Sequence, residues 1–173
     1  MHVRLLTAQD GPQYQALRLQ ALQTDPGAFL TTLESEQNRH EVSFGDELDY
    51  AYAPPTFGFY GVFDTETAEQ KLLGFCQVLP SYLPKQAHVA FLYSLYVDPL
   101  SRKKHVGSYL LNEILTKIKA KNIECLYLSY ITGNEAAKHF YRKFGFHRCG
   151  IKPRSAKWQG EYQDEVEMVY FTK

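Results

Sequence analysis

The strongest constraint on the fold is a long apolar segment at residues 87–97, which ends at Asp98-Pro99. The segment is rich in β-branched and aromatic residues, and its near-continuous apolarity predicts a central strand that is buried on both faces. A short basic loop follows, and residues 106–121 then show the spacing of an amphipathic helix. A buried strand that leads through a loop into such a helix indicates a sheet packed against helices.

The remaining segments predict further strands and helices around this unit. Thr7 stands where the cap of a first helix belongs, and Thr132 with Glu135 matches a capping box, although Asn134 is a competing cap. Residues 33–49 form either a second, more exposed helix or a mobile loop-helix, and Ala53-Pro54-Pro55 breaks the chain after them. The pattern predicts strands at 3–6, 57–63, 72–79, 87–97 and 124–130, helices at 7–25, 106–121 and 134–144, and two last strands flanking Gln159-Gly160. This order favours a mixed sheet between helices in a single domain over residues 1–173.

Composition narrows the class of protein. The chain has 173 residues, 45% of them hydrophobic, with 19 basic and 19 acidic residues and a formal net charge of zero. That balance argues against nucleic-acid binding and against a polybasic membrane anchor. No apolar stretch approaches the roughly 20 residues of a membrane-spanning helix, and the N-terminus does not resemble a signal peptide. The three scattered cysteines indicate reduced thiols, and the histidines lack metal-ligand spacing, so we expect a cytoplasmic, metal-free protein.

The segment after the central strand is the first candidate for chemistry. Residues 98–105 contain Arg102, Lys103 and Lys104, and they open directly into the predicted helix. A helix N-terminus presents unpaired backbone N–H groups that attract anions, and neighbouring cations strengthen that attraction for phosphate. Gly107 would let a phosphate approach the backbone, although the Gly-Lys-Ser/Thr of a Walker A loop is absent. A solvated basic turn is the alternative interpretation.

The second candidate is the predicted helix at residues 134–144. Asn134 and Tyr141 are seven residues apart and therefore fall on one side of the helix. The simpler alternative makes Asn134 only a cap and Tyr141 only a core residue.

Together the two segments resemble the GNAT-type N-acetyltransferases of the small bacterial type. Arg102-x-x-His105-x-Gly107, preceded by Leu95-Tyr96-Val97-Asp98-Pro99, resembles the family's coenzyme A loop. Asn134-x-x-Ala137-x-x-Phe140-Tyr141 with Phe144-Gly145-Phe146 resembles the following strand–helix block, and the likeness extends over nearly the whole chain. It implies an α/β fold of three α/β/α layers, whose mixed, mostly antiparallel sheet has about seven strands and helices on both faces.

The resemblance also implies a function. The chain would transfer an acetyl group from acetyl-CoA to a primary amine, of a small molecule or a peptide, by direct attack in a ternary complex. The pantetheine would lie where two central strands splay apart, the amide of Val97 or a neighbour would polarise the thioester carbonyl, and Tyr141 would be the general acid. The residues expected to bind the co-substrate are Leu95, Tyr96, Val97, Arg102, Lys103, Lys104, His105, Val106, Gly107, Ser108, Asn134, Ala137 and Tyr141.

The acceptor side is less constrained. Phe29 and Glu34 are the candidate substrate residues, and segments 29–38, 82–88 and 154–162 are expected to line the acceptor pocket. The general base stays open between Glu34, Glu36, His88 and an amine that arrives deprotonated. Cys149 is interpreted as a buried core thiol rather than a nucleophile. The acidic residues of the last strand are interpreted as a solvated sheet face; the alternative is an amine-attracting surface formed by Trp158, Glu161, Asp164, Glu165 and Glu167. The protein would be a monomer or a homodimer, with no nucleic-acid or membrane partner.

One departure from the family's sequence pattern favours a different class of protein, one that binds the coenzyme without catalysis. The family's loop usually has glycine where this chain has His105, whose amide can still face a pyrophosphate if its backbone is helical. The rival hypothesis is therefore a coenzyme-binding module without turnover that acts as a sensor or partner protein.

Overall fold

The computed structural model describes residues 1–39, 41–49, 57–66 and 70–172, with the backbone alone at 41–43. Its strands are β1 (His2–Leu5), β2 (Gly58–Phe63), β3 (Leu72–Pro80), β4 (Val89–Val97), β5 (Cys125–Ile131), β6 (His147–Trp158) and β7 (Glu161–Phe171). Its helices are α1 (Gly11–Thr24), α2 (Leu33–Gln37), α3 (Glu41–Asp49), α4 (Val106–Ala120) and α5 (Glu135–Lys143).

The seven strands form one sheet in the order β1-β2-β3-β4-β5-β7-β6. Neighbouring strands are antiparallel except β4 and β5, which are parallel. A parallel pair needs a crossover connection, and α4 supplies it. The predicted α/β fold, with a mixed and mostly antiparallel sheet of about seven strands, is confirmed.

Helices cover both faces of the sheet. On one face α4 buries Leu110, Leu111 and Ile114 against apolar side chains of β2 to β5 and β7. On the other face α1 and α3 bury a second cluster, in which Tyr14 and Phe44 pack on strand phenylalanines. The sheet therefore lies between two apolar cores, as a three-layer α/β/α architecture requires.

Most predicted elements are present, and the differences are local. The polar stretch at 33–49 forms two helices rather than one, while the predicted break at 53–55 lies outside the described residues. The capping box with Thr132 is wrong, because Asn134 caps α5 by accepting a hydrogen bond from the Ala137 amide at 3.0 Å. Within the described residues, no helix combines the length and apolar character needed to cross a bilayer.

The central strand departs from its expected burial. Its first half is buried on both faces, but Tyr93 is 45% exposed and Ser94 and Leu95 are partly exposed. The cause is the neighbouring strand, since β4 pairs with β5 only from Val89 to Phe91. Beyond that point β5 continues beside β7, so a gap opens between the two parallel strands.

A β-bulge lies on the edge of this gap. Gln77 of β3 pairs with Tyr93 and Phe75 pairs with Tyr96, so Cys76 lies opposite both Ser94 and Leu95. Ser94 takes a φ of +54° at this point. A bulge leaves one residue outside the ladder of hydrogen bonds. On its other side β4 is without a strand partner among the described residues beyond Phe91, where its pairing with β5 ends.

Candidate functional site

A cavity of about 300 Å³ lies where β4 and β5 separate. Its walls come from the bulge in β4, from β5, from α5, from the segment before α2, and from the β6–β7 hairpin. The lining residues are Arg18, Ala28, Phe29, Leu30, Thr31, Leu92, Tyr93, Ser94, Leu95, Ser129, Tyr130, Asn134, Ala137, Tyr141, Lys152 and Glu165. Residues that are distant in sequence therefore share one concave site at the sheet's central discontinuity.

Helix α5 brings three of the predicted residues to this cavity. Asn134, Ala137 and Tyr141 all line it, as their spacing on one helix side predicts. Because Asn134 uses its side-chain oxygen as the helix cap, its amide nitrogen is the group left to donate to a ligand.

The environment of Tyr141 is apolar. Its ring packs edge-on against Phe140 and Phe146, with centroids 5.3 and 5.6 Å away. Burial, and secondarily the nearby Cys76, raises the pKa of Tyr141 well above the usual range of a phenol. Tyr141 consequently remains protonated at neutral pH, as a proton donor must be. Donation costs more than it would from an unperturbed phenol, but the same apolar surroundings also disfavour a leaving thiolate.

Leu95, at the bulge, lines the cavity, whereas Tyr96 and Val97 do not. Tyr96 directs its ring into the core beside α1 and shares a 3.0 Å hydrogen bond between its hydroxyl and that of Thr24. Val97 packs toward the start of α4, where its methyl group would lie 3.3 Å from a Cβ at Gly107. Of residues 94–97 of β4, Ser94 and Leu95 line the cavity.

The loop before α4 has an unusual backbone. Lys103 and His105 both take φ of +62°, in the left-handed region, and the side chains of residues 102–105 are exposed. His105 therefore does not have the right-handed helical backbone that was the stated condition for its amide to face a pyrophosphate, and it takes instead the conformation that glycine tolerates best. Histidine is among the residues that adopt this region more often than most, which explains how it replaces the glycine. The exposed imidazole leaves the loop amides uncovered.

Two loop residues have roles in packing. The Arg102 guanidinium donates to Asp25 Oδ2 at 2.6 Å and to the Val97 carbonyl at 3.2 Å, so its charge turns toward the end of α1. Gly107 lies close to Val97 and Phe140, and a Cβ added at residue 107 would lie 3.6 Å from a ring carbon of Phe140. Lys103 and Lys104 remain outward cationic side chains of the loop near the N-terminus of α4, while Ser108 is half-buried in the first turn of that helix.

Glu165 lines the cavity, and the sequence offered it only as the less favoured alternative, one of several acidic residues on the last strand. It is 6% exposed and faces the cavity, although we expected a solvated acidic face on β7. Ser129 and Ser155 donate to its two oxygens at 2.7 and 2.8 Å, and the Lys152 ammonium lies 3.5 Å away. Burial alone would raise the pKa of the Glu165 carboxyl, but these donors together lower it below its usual value. The carboxylate is therefore ionised at neutral pH.

One side of the cavity is formed by the segment between α1 and α2, where the acceptor was expected to bind. Phe29 lines the cavity as expected, whereas Glu34 is exposed on α2 and is absent from the lining. The buried carboxylate of α2 is Glu36, which pairs with Arg18 and Arg39. A smaller cavity of about 180 Å³ adjoins on this side, and residues 155–158 line it as predicted.

Other sequence-based candidates lie away from the cavity. His88 is exposed beyond the far end of β4, and residues 82–88 line neither of the two cavities. The prediction that Cys149 is a buried core thiol is wrong, because it is exposed on the edge strand β6. Within the part of the chain that the structure describes, no three His, Cys, Asp or Glu side chains gather as metal ligands.

A mixed sheet with splayed parallel strands, a bulge at the gap and an amide-rich loop at the next helix N-terminus defines the acetyltransferase class of α/β proteins. The chain belongs to the acetyltransferase (GNAT) family, whose sequence model matches residues 21–146.

Solved structures share this fold over nearly the whole chain. A GNAT-family acetyltransferase of Streptococcus pneumoniae is 22% identical with a TM-score of 0.80, covering 98% of each chain. The ribosomal-protein-alanine N-acetyltransferase of Brucella melitensis is 21% identical with a TM-score of 0.72, covering 99% of each. The protein yncA of Salmonella typhimurium, whose structure contains acetyl-CoA, is 12% identical with a TM-score of 0.77, covering 100% of this chain and 94% of its own.

A curated relative matches over a shorter stretch. An uncharacterised protein of Mycobacterium leprae is 40% identical over 63 residues. The match spans 36% of this chain and 17% of that protein's length.

Proposed function

We propose that the protein is an N-acetyltransferase that uses acetyl-CoA to acetylate a primary amine of a small molecule or peptide in a ternary complex. The observation that carries the proposal is the shared cavity, in which a proton donor, a β-bulge and an ionised carboxylate face one another. Beyond family membership, the support is chemical. The proton donor serves the leaving sulfur, the bulge offers backbone donors for the carbonyl oxygen, and the carboxylate can position the amine.

The loop and the gap fit the co-substrate. The left-handed residues Lys103 and His105 form a concave turn of backbone amides before α4, which suits a pyrophosphate. The unpaired edge of β4 and the side-chain nitrogen of Asn134 supply donors and acceptors suited to the amides of a pantetheine arm. Bound acetyl-CoA would supply the thioester as the acyl donor.

Tyr141 supplies the proton for the sulfur that leaves when the thioester is cleaved. When the amine nitrogen bonds to the acyl carbon and the carbon–sulfur bond breaks, the amine loses one proton and the sulfur gains one. The Tyr141 hydroxyl gives its proton to sulfur, and the proton released from nitrogen restores the phenol through solvent. A backbone N–H at Ser94 or Leu95 donates to the carbonyl oxygen as negative charge develops there.

Glu165 acts on the amine. Its ionised carboxylate attracts the acceptor as an ammonium ion, while its low pKa makes it a weak base. We therefore assign Glu165 to positioning the amine, and the amine loses its proton to water before it attacks. This assignment replaces Glu34 and His88, which the fold places outside the cavity.

The test measures release of free thiol from acetyl-CoA with a panel of primary amines, together with direct binding of acetyl-CoA. Turnover with one or more amines, saturable in both substrates, is the expected result. Tight coenzyme binding without turnover on any amine would overturn the proposal in favour of a binding module. Absence of coenzyme binding would overturn both.

A further inference from the structure

We infer that the acceptor is an amino acid whose carboxylate binds Arg18, an inference that rests on the proposed acetyl transfer. Arg18 belongs to α1, lines the cavity and is only 7% exposed. It therefore places a buried positive charge on the acceptor side of the cavity.

The guanidinium of Arg18 is incompletely paired. Its Nη2 donates to the Thr31 hydroxyl at 2.6 Å and to Glu36 Oε1 at 3.4 Å. Its Nη1 is buried and has no acceptor among the described residues. Buried donors in folded proteins are nearly always paired, and a charged one is especially costly to leave unpaired. An anion that occupies the cavity beside Arg18 would supply the missing acceptor.

The surrounding charges explain why Arg18 is available. Among the described residues, Glu36 is the one charged partner of Arg18. It uses Oε2 to hold Arg39 at 2.7 Å, and Arg39 in turn holds Glu47 at 3.0 Å. The bond from Glu36 to Arg18 is the longest of the three, so the Arg18 charge is the least neutralised in this cluster. Phe29 stacks on the guanidinium at 4.9 Å without satisfying its N–H groups.

The positive charge and the forked N–H groups of Arg18 favour a carboxylate as its ligand. Arginine binds planar carboxylates well, and Glu36 on the same guanidinium would repel a dianionic phosphate more than a monoanion. Glu165 supplies the opposite charge within the same cavity. A cavity with a cationic group on one wall and an anionic group on another matches a molecule that carries both an amine and a carboxylate.

The experiment compares amino acids with their carboxamides as acceptors. The panel contains the α-amino acids and the unbranched ω-amino acids from β-alanine to 6-aminohexanoate, and the ω series reports the separation of the two charges. For the best acid we expect kcat/KM at least about tenfold above that of its carboxamide, in line with one charged hydrogen bond. In Arg18→Gln the ratio should fall toward one, and in Arg18→Lys it should recover in part. Arg4→Gln, which removes an arginine that pairs with Asp10 outside both this cluster and the cavity lining, should keep the ratio.

A second readout does not depend on turnover. In the presence of saturating coenzyme A, the melting temperature of the protein should rise when the acid is added and should not rise when its carboxamide is added. In Arg18→Gln this difference should disappear. If that variant fails to fold, competitive inhibition of the wild type by amine-free carboxylates of the same length, and not by their amides, replaces it.

The outcomes separate the two proposals. Equal use of acids and carboxamides, a preference that survives in Arg18→Gln, or no response to any acid overturns the carboxylate site. Acetylation of simple alkylamines in that case leaves the proposed function intact. Failure of every amine to release thiol overturns the proposed function, while the thermal shifts still report on Arg18.

Discussion

The side chain of Arg102 joins the loop before α4 to the end of α1, with its Nη2 2.6 Å from Asp25 Oδ2. The same guanidinium lies over the ring of Tyr96 at 5.4 Å and donates to the carbonyl of Val97. A residue whose charge suggests an anion contact therefore fixes the shape of the loop. The pair links the expected coenzyme loop to the helix that carries Arg18.

Asp25→Asn should loosen this loop and weaken coenzyme binding. We expect KM for acetyl-CoA to rise severalfold, because the amides of residues 102–108 lose part of their fixed arrangement. Stability should fall by no more than about 1 kcal/mol, since both partners are partly exposed. Steady-state kinetics and urea unfolding measure the two effects. Glu47→Gln breaks a comparable ion pair with Arg39 and should leave KM for acetyl-CoA unchanged.

Tyr141→Phe removes the proposed proton donor and keeps the aromatic packing. We expect kcat to fall by roughly 10²-fold or more, as for loss of a general acid, with little change in the affinity for acetyl-CoA. Tyr170→Phe is the matched control, because Tyr170 packs on Phe146 in the same aromatic cluster but does not line the cavity. Equal kcat in wild type and Tyr141→Phe would remove Tyr141 from the chemistry.

Local sequence patterns predicted most of the elements and the α5 part of the site. Asn134 and Tyr141 meet at the cavity because helical periodicity alone places them on one side. The loop before α4 was located by its position between a buried strand and an amphipathic helix. Both features depend on neighbours in sequence, which is why the sequence carries them.

Features that depend on tertiary packing were missed or left open. Glu165 looks like any charge on an alternating strand, and only Ser129 of β5 and Ser155 of β6 make it a buried site residue. The exposure of Cys149 follows from β6 lying at the sheet edge, which strand order decides. Arg18 also lines the cavity, although in sequence it is one charge on an ordinary helix.

Glu165→Gln should lower stability in a pH-dependent way. The folded-state pKa of Glu165 is lowered, so its contribution to stability is present above the unfolded value of about 4.3 and is lost as pH falls. The variant should therefore melt below wild type at pH 7, and the gap should narrow as the pH drops below about 4.3. Thermal melts between pH 3 and 7 measure it.

Glu161→Gln, an exposed change on the same strand, is the control for Glu165→Gln and should show no such gap. A Glu165→Gln gap that stays constant across this pH range would mean that the carboxylate is not preferentially ionised in the folded state. In the proposed role, Glu165→Gln also raises KM for the amine and leaves KM for acetyl-CoA unaffected.

His105→Gly tests the left-handed turn at the start of α4. A side chain at φ of +62° costs about 1–2 kcal/mol, and glycine removes that cost but adds about 0.5–1 kcal/mol of chain entropy. We therefore expect His105→Gly to gain up to about 1 kcal/mol in the free energy of unfolding, with KM for acetyl-CoA equal to or below that of wild type. His105→Ala keeps the Cβ and should gain nothing. Urea unfolding of the three proteins measures these differences. A clear loss of stability in His105→Gly would mean that the backbone at residue 105 is not left-handed. The turn of backbone amides proposed to bind the pyrophosphate would then lose its geometric basis.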